Sequence, residues 1–372
     1  MSTKLHFDYL DAMRGIAALI VVFTHLGVKN FDSELFSTIP ASFLVAGSAA
    51  VVLFFIHSSF VLSYKYIGTP DCKLKIVEAI VKRPFRLVGV LLFATYITLI
   101  HNWNIIGRPE GDTFILGPLL HPFTFGVPWN GSLWTLDIEL VGSYLTFGLV
   151  LFFGNIRKEL RLMGMIALMF CFWNNFFGAF MFGIIVADLS KNWKWQWFVE
   201  HKEIISWMLL IPAILFFSYP KSIMPGVWYK ANAVSVGYFL VTLGAMLMFV
   251  VILMNTTIQK LLLYNRFVTL GKISYSMYAI HMPIIAIMSG LVINRYLCQY
   301  FETTLLFHCL VKIPVIIAAA WLVNKYIDRP CIEFSGRIAR YCVSKLVTIA
   351  QNTSVNVRAC FGMNAASSES QD

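Results

Sequence analysis

"LDAMRGIAALIVVFTHL" (residues 10–26) reads as a membrane helix except at three ionisable positions, Asp11, Arg14 and His25. An Asp or Arg at the centre of a spanning helix costs roughly 2.5–3.5 kcal/mol on an insertion scale. Such a segment either is no span or turns one face away from lipid. The rest of the chain decides which.

Of the 372 residues, 58% are hydrophobic and only 13% are charged. A soluble domain averages about 25% charged residues, so too few are present to coat a globule. Apolar runs near the roughly 20 residues that cross a hydrocarbon core recur from end to end. The expected fold is all-α, a polytopic bundle of about ten transmembrane helices near residues 10–28, 43–64, 87–103, 133–153, 162–174, 176–188, 205–219, 234–254, 270–293 and 305–324. The fifth and sixth are short and share a turn at Asn174 and Asn175.

The net charge of +10 follows from topology rather than from a nucleic-acid partner. With the N-terminus inside, 22 of the 29 Lys and Arg fall in inner segments, five in outer loops and two, Arg14 and Lys312, in spans. Cytoplasmic loops carry such an excess, which places both termini in the cytoplasm. Lys4 before an apolar run resembles a signal peptide, but Arg14 interrupts the run and no small-x-small cleavage site closes it. The segment is therefore read as the first helix. The seven cysteines include no C-x-x-C; Cys298 and Cys309 share one outer region where they are able to pair. Residues 1–340 form the expected transmembrane domain, and 341–372 a mobile, polar cytoplasmic tail.

At 100° per residue, Arg14 and His25 return to within about 20° of each other, about 16 Å apart along the axis, and Asp11 lies roughly 40° off the same line. All three share one face. Asp11 and Arg14 can pair at i,i+3 near the headgroups. His25 lies deeper, where ionisable groups mark a cavity or a partner; a neutral histidine bonded inside a bundle is the alternative.

Three further stretches repeat the pattern. "GSLWTLDIELVGSYL" (131–145) places Asp137 and Glu139 in a span, about 160° apart, so one of them faces a given cavity. Glu139 reaches the depth of His25, where a carboxylate orients an imidazole; the alternative is an ion pair with another base. In "LFFIHSSFVLSYK" (53–65), His57, Ser58 and Ser59 suit helix-to-helix bonding, and serine back-bonding to the i−4 carbonyl is the favoured reading. "LGKISYSMYAIHMPII" (270–285) carries Tyr275, Tyr278 and His281. "VKRPFRLVG" (81–89) is a positive-inside anchor, or an anion clamp built on Arg83 and Arg86. No metal-ligand spacing, H-E-x-x-H, G-x-S-x-G, P-loop or G-x-G-x-x-G occurs.

The constellation resembles the membrane acyltransferase 3 family. The family's first-helix pattern "LDGLRGIAALLVVLFH" stands here as "LDAMRGIAALIVVFTH" (10–25). "VLFFIHSSFVLS" (52–63) is similar to "DLFFVLSGFLI", "KRPFRLVG" (82–89) to "RRLLRIYP", and "LWTLDIEL" (133–140) to "WSLSVEEQ". "LGKISYSMYAIHMPI" (270–284) is similar to "LGxxSYxxYLxHxP", and "YIDRPCIEF" (326–334) to a closing E-x-P segment. Ser59 replaces a usual Gly, Gly89 a usual Pro and Asp328 a usual Glu.

The resemblance implies a membrane O-acyltransferase of the bacterial inner membrane. It would carry an acyl group, acetyl foremost, from acyl-CoA to a sugar hydroxyl of a cell-surface polysaccharide or glycolipid such as lipopolysaccharide. Acyl-CoA would be a donor substrate with no cofactor held permanently, and the partners would be the glycan or lipid-linked acceptor and membrane lipid. By the same resemblance, Arg14, Arg83 and Arg86 would hold the CoA phosphates and His25 would be the general base. Glu139 would orient His25, while Ser58, Trp134, Tyr275 and His281 would line or support the path. A proton-coupled transporter is the alternative from another class, although no matching halves with broken spans are found. A silent scaffold for glycan assembly is a third reading, against which the intact His25 and Glu139 argue.

Overall fold

Hydrocarbon offers the backbone no partner, so a chain this apolar satisfies its N–H and C=O groups within helices. The computed structural model describes residues 7–26, 41–69, 72–106, 130–154, 156–173, 175–192, 196–218, 236–290 and 307–360, and among these no strand occurs. The helices are α1 (Asp8–His25), α2 (Ala41–Leu44), α3 (Gly47–Tyr66), α4 (Lys73–Ile106), α5 (Trp134–Phe153), α6 (Lys158–Cys171) and α7 (Phe177–Asn192). They continue as α8 (Gln196–Phe217), α9 (Val236–Met254), α10 (Thr256–Leu262), α11 (Asn265–Gly290), α12 (Ile313–Val323) and α13 (Arg329–Cys360).

Among the described residues, four helical stretches are long and apolar enough to cross a membrane: Gly47–Tyr66, Lys73–His101, Trp134–Phe153 and His308–Ile349. A fifth arises if Tyr238–Met254 and Thr256–Leu262, bent by 91°, form one span. The last stretch differs most from expectation. The segment read at 305–324 continues through π-helical turns at His308–Lys312 and Asn324–Asp328 into α13. Each wide turn lies just before a proline, Pro314 and Pro330, whose ring would clash with the i−4 carbonyl of an unbroken α-helix. The boundary expected at 340 falls inside α13, and residues 361–372 lie outside the described residues. Cys309 is a free thiol; Cys298 also lies outside them.

Two large apolar clusters divide the bundle, beside a small third one of Tyr66, Ile76, Phe147 and Val150. One gathers α3, α7, α8 and α9 around Phe55, Phe60, Phe180, Phe217 and Phe249. The other joins α1, α4, α5, α11 and α12 through Val22, Val90, Leu136, Met277 and Ile316. Helix α1 packs on both α3 and α11. At its crossing with α11 the backbones touch: a Cβ on Gly15 would come within 2.5 Å of the Gly271 nitrogen, and one on Gly271 would strike the Asp11 carbonyl oxygen. Small residues permit this approach in membrane bundles, and it brings Arg14 onto α11.

Two polar devices brace the periphery. Arg161 Nε and Nη2 donate to the two Asp188 oxygens at 2.9 and 2.7 Å, joining α6 to α7. At the bend between α9 and α10, Asn255 caps α10 by accepting from Ile258 N–H at 2.8 Å. Glu203 of α8 accepts from Thr256 N–H at 3.0 Å and Thr257 N–H at 3.4 Å. Those bonds, led by the Thr256 N–H, hold the Glu203 carboxyl below its usual range.

Candidate active site

An arginine this apolar bundle buries must find oxygen partners. Arg83, 8% exposed on α4, finds three: its Nη2 donates to Glu139 at 2.7 Å and to Ser58 Oγ at 2.8 Å, and its Nε to Ser143 Oγ at 3.0 Å. Ser143 in turn donates to the Glu139 carbonyl at 2.6 Å. One guanidinium thus ties α3, α4 and α5 together. This corrects the expected pairing of Glu139 with His25. The carboxylate lies where the strongest available donor, a buried guanidinium, takes it. Ser143 is one residue that sequence reasoning missed; its position four after Glu139, on the same helix face, was the available signal.

Arg14 is held from α11: Nε donates to Ser274 Oγ at 2.8 Å and Nη2 to the Gly271 carbonyl at 3.2 Å. Asp11 stands 3.6 Å away as the i,i+3 partner. Between these two arginines lies a cavity of about 840 Å³, mouth included. Arg14, Arg83, Arg86, Ser58, Glu139 and Tyr275 all line it. Five of the helices contribute: α1, α3, α4, α5 and α11. Tyr275 is oriented by donating to the Leu87 carbonyl at 2.7 Å, and Thr135 and Tyr278 close one wall by a 2.8 Å hydroxyl bond. His57, which sequence reasoning assigned to packing, also lines it. Asp137 is buried and does not, in keeping with the opposed directions of the two carboxylates. Trp134 packs on the Phe176 ring, centroids 5.3 Å apart, and is not part of the lining.

His25 and His281 form a second group, outside the cavity lining. His281 Nδ1 lies 2.6 Å from the Tyr278 carbonyl, and His25 Nδ1 2.9 Å from the Val21 carbonyl. Carbonyl oxygens only accept, so each Nδ1 carries its proton, and neutral rings then accept at Nε2. His281 Nε2 lies 3.2 Å from His25 Nδ1 and shares that proton with Val21. His281 therefore takes the orienting place expected of Glu139. The end of α1 is fixed beside it, where Thr24 Oγ1 donates to the Val45 carbonyl at 2.9 Å and accepts from Gly47 N–H at 3.0 Å.

The position of His281 depends on a proline two residues on. Pro283 lies inside α11 and has no N–H for the Ala279 carbonyl four residues back. Asn130 supplies the donor, its Nδ2 lying 3.3 Å from that oxygen, while its Oδ1 accepts from Ser132 Oγ at 2.7 Å. Asn130 is 1% exposed. Nothing in its local sequence pointed to this bond, which joins positions 149 apart in the chain.

Compared with known proteins, residues 7–325 match the acyltransferase domain of the acyltransferase 3 family. No curated protein and no solved structure matches the chain. Its apolar helices are those of an integral membrane protein. With the match running through nearly all the described helices, the chain belongs to the acyltransferase 3 family and is a membrane acyltransferase.

Proposed function

We propose that the protein transfers an acyl group, acetyl foremost, from acyl-CoA to a sugar hydroxyl of a cell-surface polysaccharide or glycolipid. The observation that carries this is the setting of His25 Nδ1, 2.9 Å from the Val21 carbonyl and 3.2 Å from His281 Nε2. With Nδ1–H engaged by Val21 and His281, Nε2 is the basic nitrogen. It takes the proton of the sugar hydroxyl while that oxygen attacks the thioester carbonyl. The C–S bond breaks, and the CoA thiolate leaves to be protonated by the imidazolium. The imidazolium is stabilised through Nδ1–H by the His281 lone pair. General-base catalysis of this kind is worth roughly 10²–10⁴-fold.

In this reading Arg14, Arg83 and Arg86 hold the CoA phosphates, as guanidinium forks suit them, and Glu139 holds Arg83 in place. Ser58 and Tyr275 line the donor path, and Trp134 supports its outer end. The bundle has ten spans with both termini cytoplasmic, in a bacterial inner membrane, the acyltransferase domain extending over residues 1–340.

Membranes holding matched amounts of wild type and His25→Ala, supplied with acetyl-labelled CoA, test the reading. Alkali-labile label is expected in the host glycan fraction with wild type and at background with the variant. Equal label in both would remove His25 from the chemistry.

A further inference from the structure

The arginines of the cavity are not equally engaged. Arg14 is matched by Asp11, Ser274 and Gly271, and Arg83 by Glu139, Ser58 and Ser143. Arg86 lines the same cavity and has no hydrogen bond or ion pair among the described residues. His57, on α3 next to Ser58, is in the same condition. It is 5% exposed, lines the cavity, and has no hydrogen-bond partner among the described residues. A ring nitrogen that lines a cavity and makes no bond to the protein is open to a ligand in that cavity. Neither packing nor helix formation calls for an imidazole here.

We infer that His57 is a ligand-binding residue, donating a ring N–H to a phosphoryl oxygen of the anion that Arg86 attracts into the cavity. This deepens the acyl-CoA reading and rests on it for the identity of the ligand, because CoA presents a diphosphate and a 3′-phosphate. The two unengaged groups are complementary to one chemistry. Arg86 supplies charge and a planar fork, and His57 supplies a directed donor from the opposite helix. Arg83, fixed by Glu139, Ser58 and Ser143, adds its charge to the same cavity.

The test uses the full chain in detergent, with CoA and inorganic pyrophosphate as separate probes, and measures Kd by calorimetry for wild type, His57→Leu and His57→Gln. Leucine is apolar and close to the imidazole in size, so the variant is expected to fold; an unchanged Tm checks this. Glutamine keeps an N–H donor. A hydrogen bond to a charged partner corresponds to roughly tenfold or more in affinity. The expected result is at least a tenfold rise in both Kd values for His57→Leu and less than threefold for His57→Gln.

Unchanged affinity for CoA in His57→Leu would overturn the inference while leaving the acyl-CoA reading in place. Pyrophosphate binding that depends on His57, with no CoA binding in wild type, would support the phosphoryl contact and overturn acyl-CoA as donor. Binding of neither probe by wild type would overturn both.

Discussion

A histidine acts as a base through its unprotonated nitrogen, and the bonds of the other nitrogen decide which one that is. For His25 those bonds come from Val21 and His281, which in the reaction proposed above makes His281 a positioning residue rather than a second base. Replacing it by Phe removes the acceptor and keeps a ring. His281→Phe is expected to lower kcat of acetyl transfer about 100-fold with KM little changed, as initial rates over a range of acetyl-CoA would show. His281→Gln restores an acceptor oxygen and should recover a large part of that loss. Recovery only of protein level, with kcat still at the Phe value, would make the role one of packing.

At the scale of elements, the bundle uses polar bonds where helices must be held at a fixed register. The Arg161–Asp188 pair is almost fully buried, at 5% and 0% side-chain exposure. Removing one partner leaves the other charge unpaired in an apolar setting, at a cost of about 3–5 kcal/mol. Asp188→Ala is therefore expected to lower the Tm in detergent markedly, and a double Arg161→Met, Asp188→Leu variant to recover much of it. The corner at Asn255 behaves differently because Glu203 is partly open to solvent. Its folded-state pKa is depressed by the Thr256 and Thr257 bonds. The stabilisation it provides is thus complete above the unfolded pKa and fades as pH falls through the lower folded value. Between about pH 7 and about pH 3, wild type should lose more Tm than Glu203→Gln, which lacks this titration; parallel losses would remove the carboxylate from the corner's stability.

For the whole molecule, the placing of charge and the placing of the site are linked. The basic residues around α4 lie at the end of the bundle where the arginine cavity opens in our reading, which is the side that holds CoA in a cell. Both termini are expected on that side. A fluorescent protein fused after Asp372 should fluoresce in intact cells, and an alkaline phosphatase fused at the same place should be inactive; the reverse pattern would invert the topology. The arginine cavity and the His25–His281 pair are separate groups that share helix α1, whose Arg14 lines the first and whose His25 belongs to the second. Their common support is the α1–α11 crossing at Gly15 and Gly271.

The sequence by itself determined that this chain is helical and membrane-bound, because hydrocarbon imposes both span length and internal backbone bonding on any chain so apolar. It also determined that Asp11, Arg14 and His25 face one way, because a helix has a fixed period. Arg14, Arg83, Ser58, Glu139 and Tyr275 were grouped through the family resemblance, whereas spacing alone favoured packing for Ser58 and an anchor for Arg83; that all five line one cavity comes from the structure. Only the tertiary structure decided the partnerships. Glu139 and His25 have matching depths in sequence, yet the carboxylate went to Arg83 and the imidazole to His281. Depth along one helix is encoded locally, whereas the tilt and rotation of neighbouring helices follow from packing at contacts such as Gly15 on Gly271. Asn130 and His57 were invisible for that reason. Each has its place from a neighbouring helix, through a carbonyl freed by Pro283 in one case and a cavity closed by three arginines in the other.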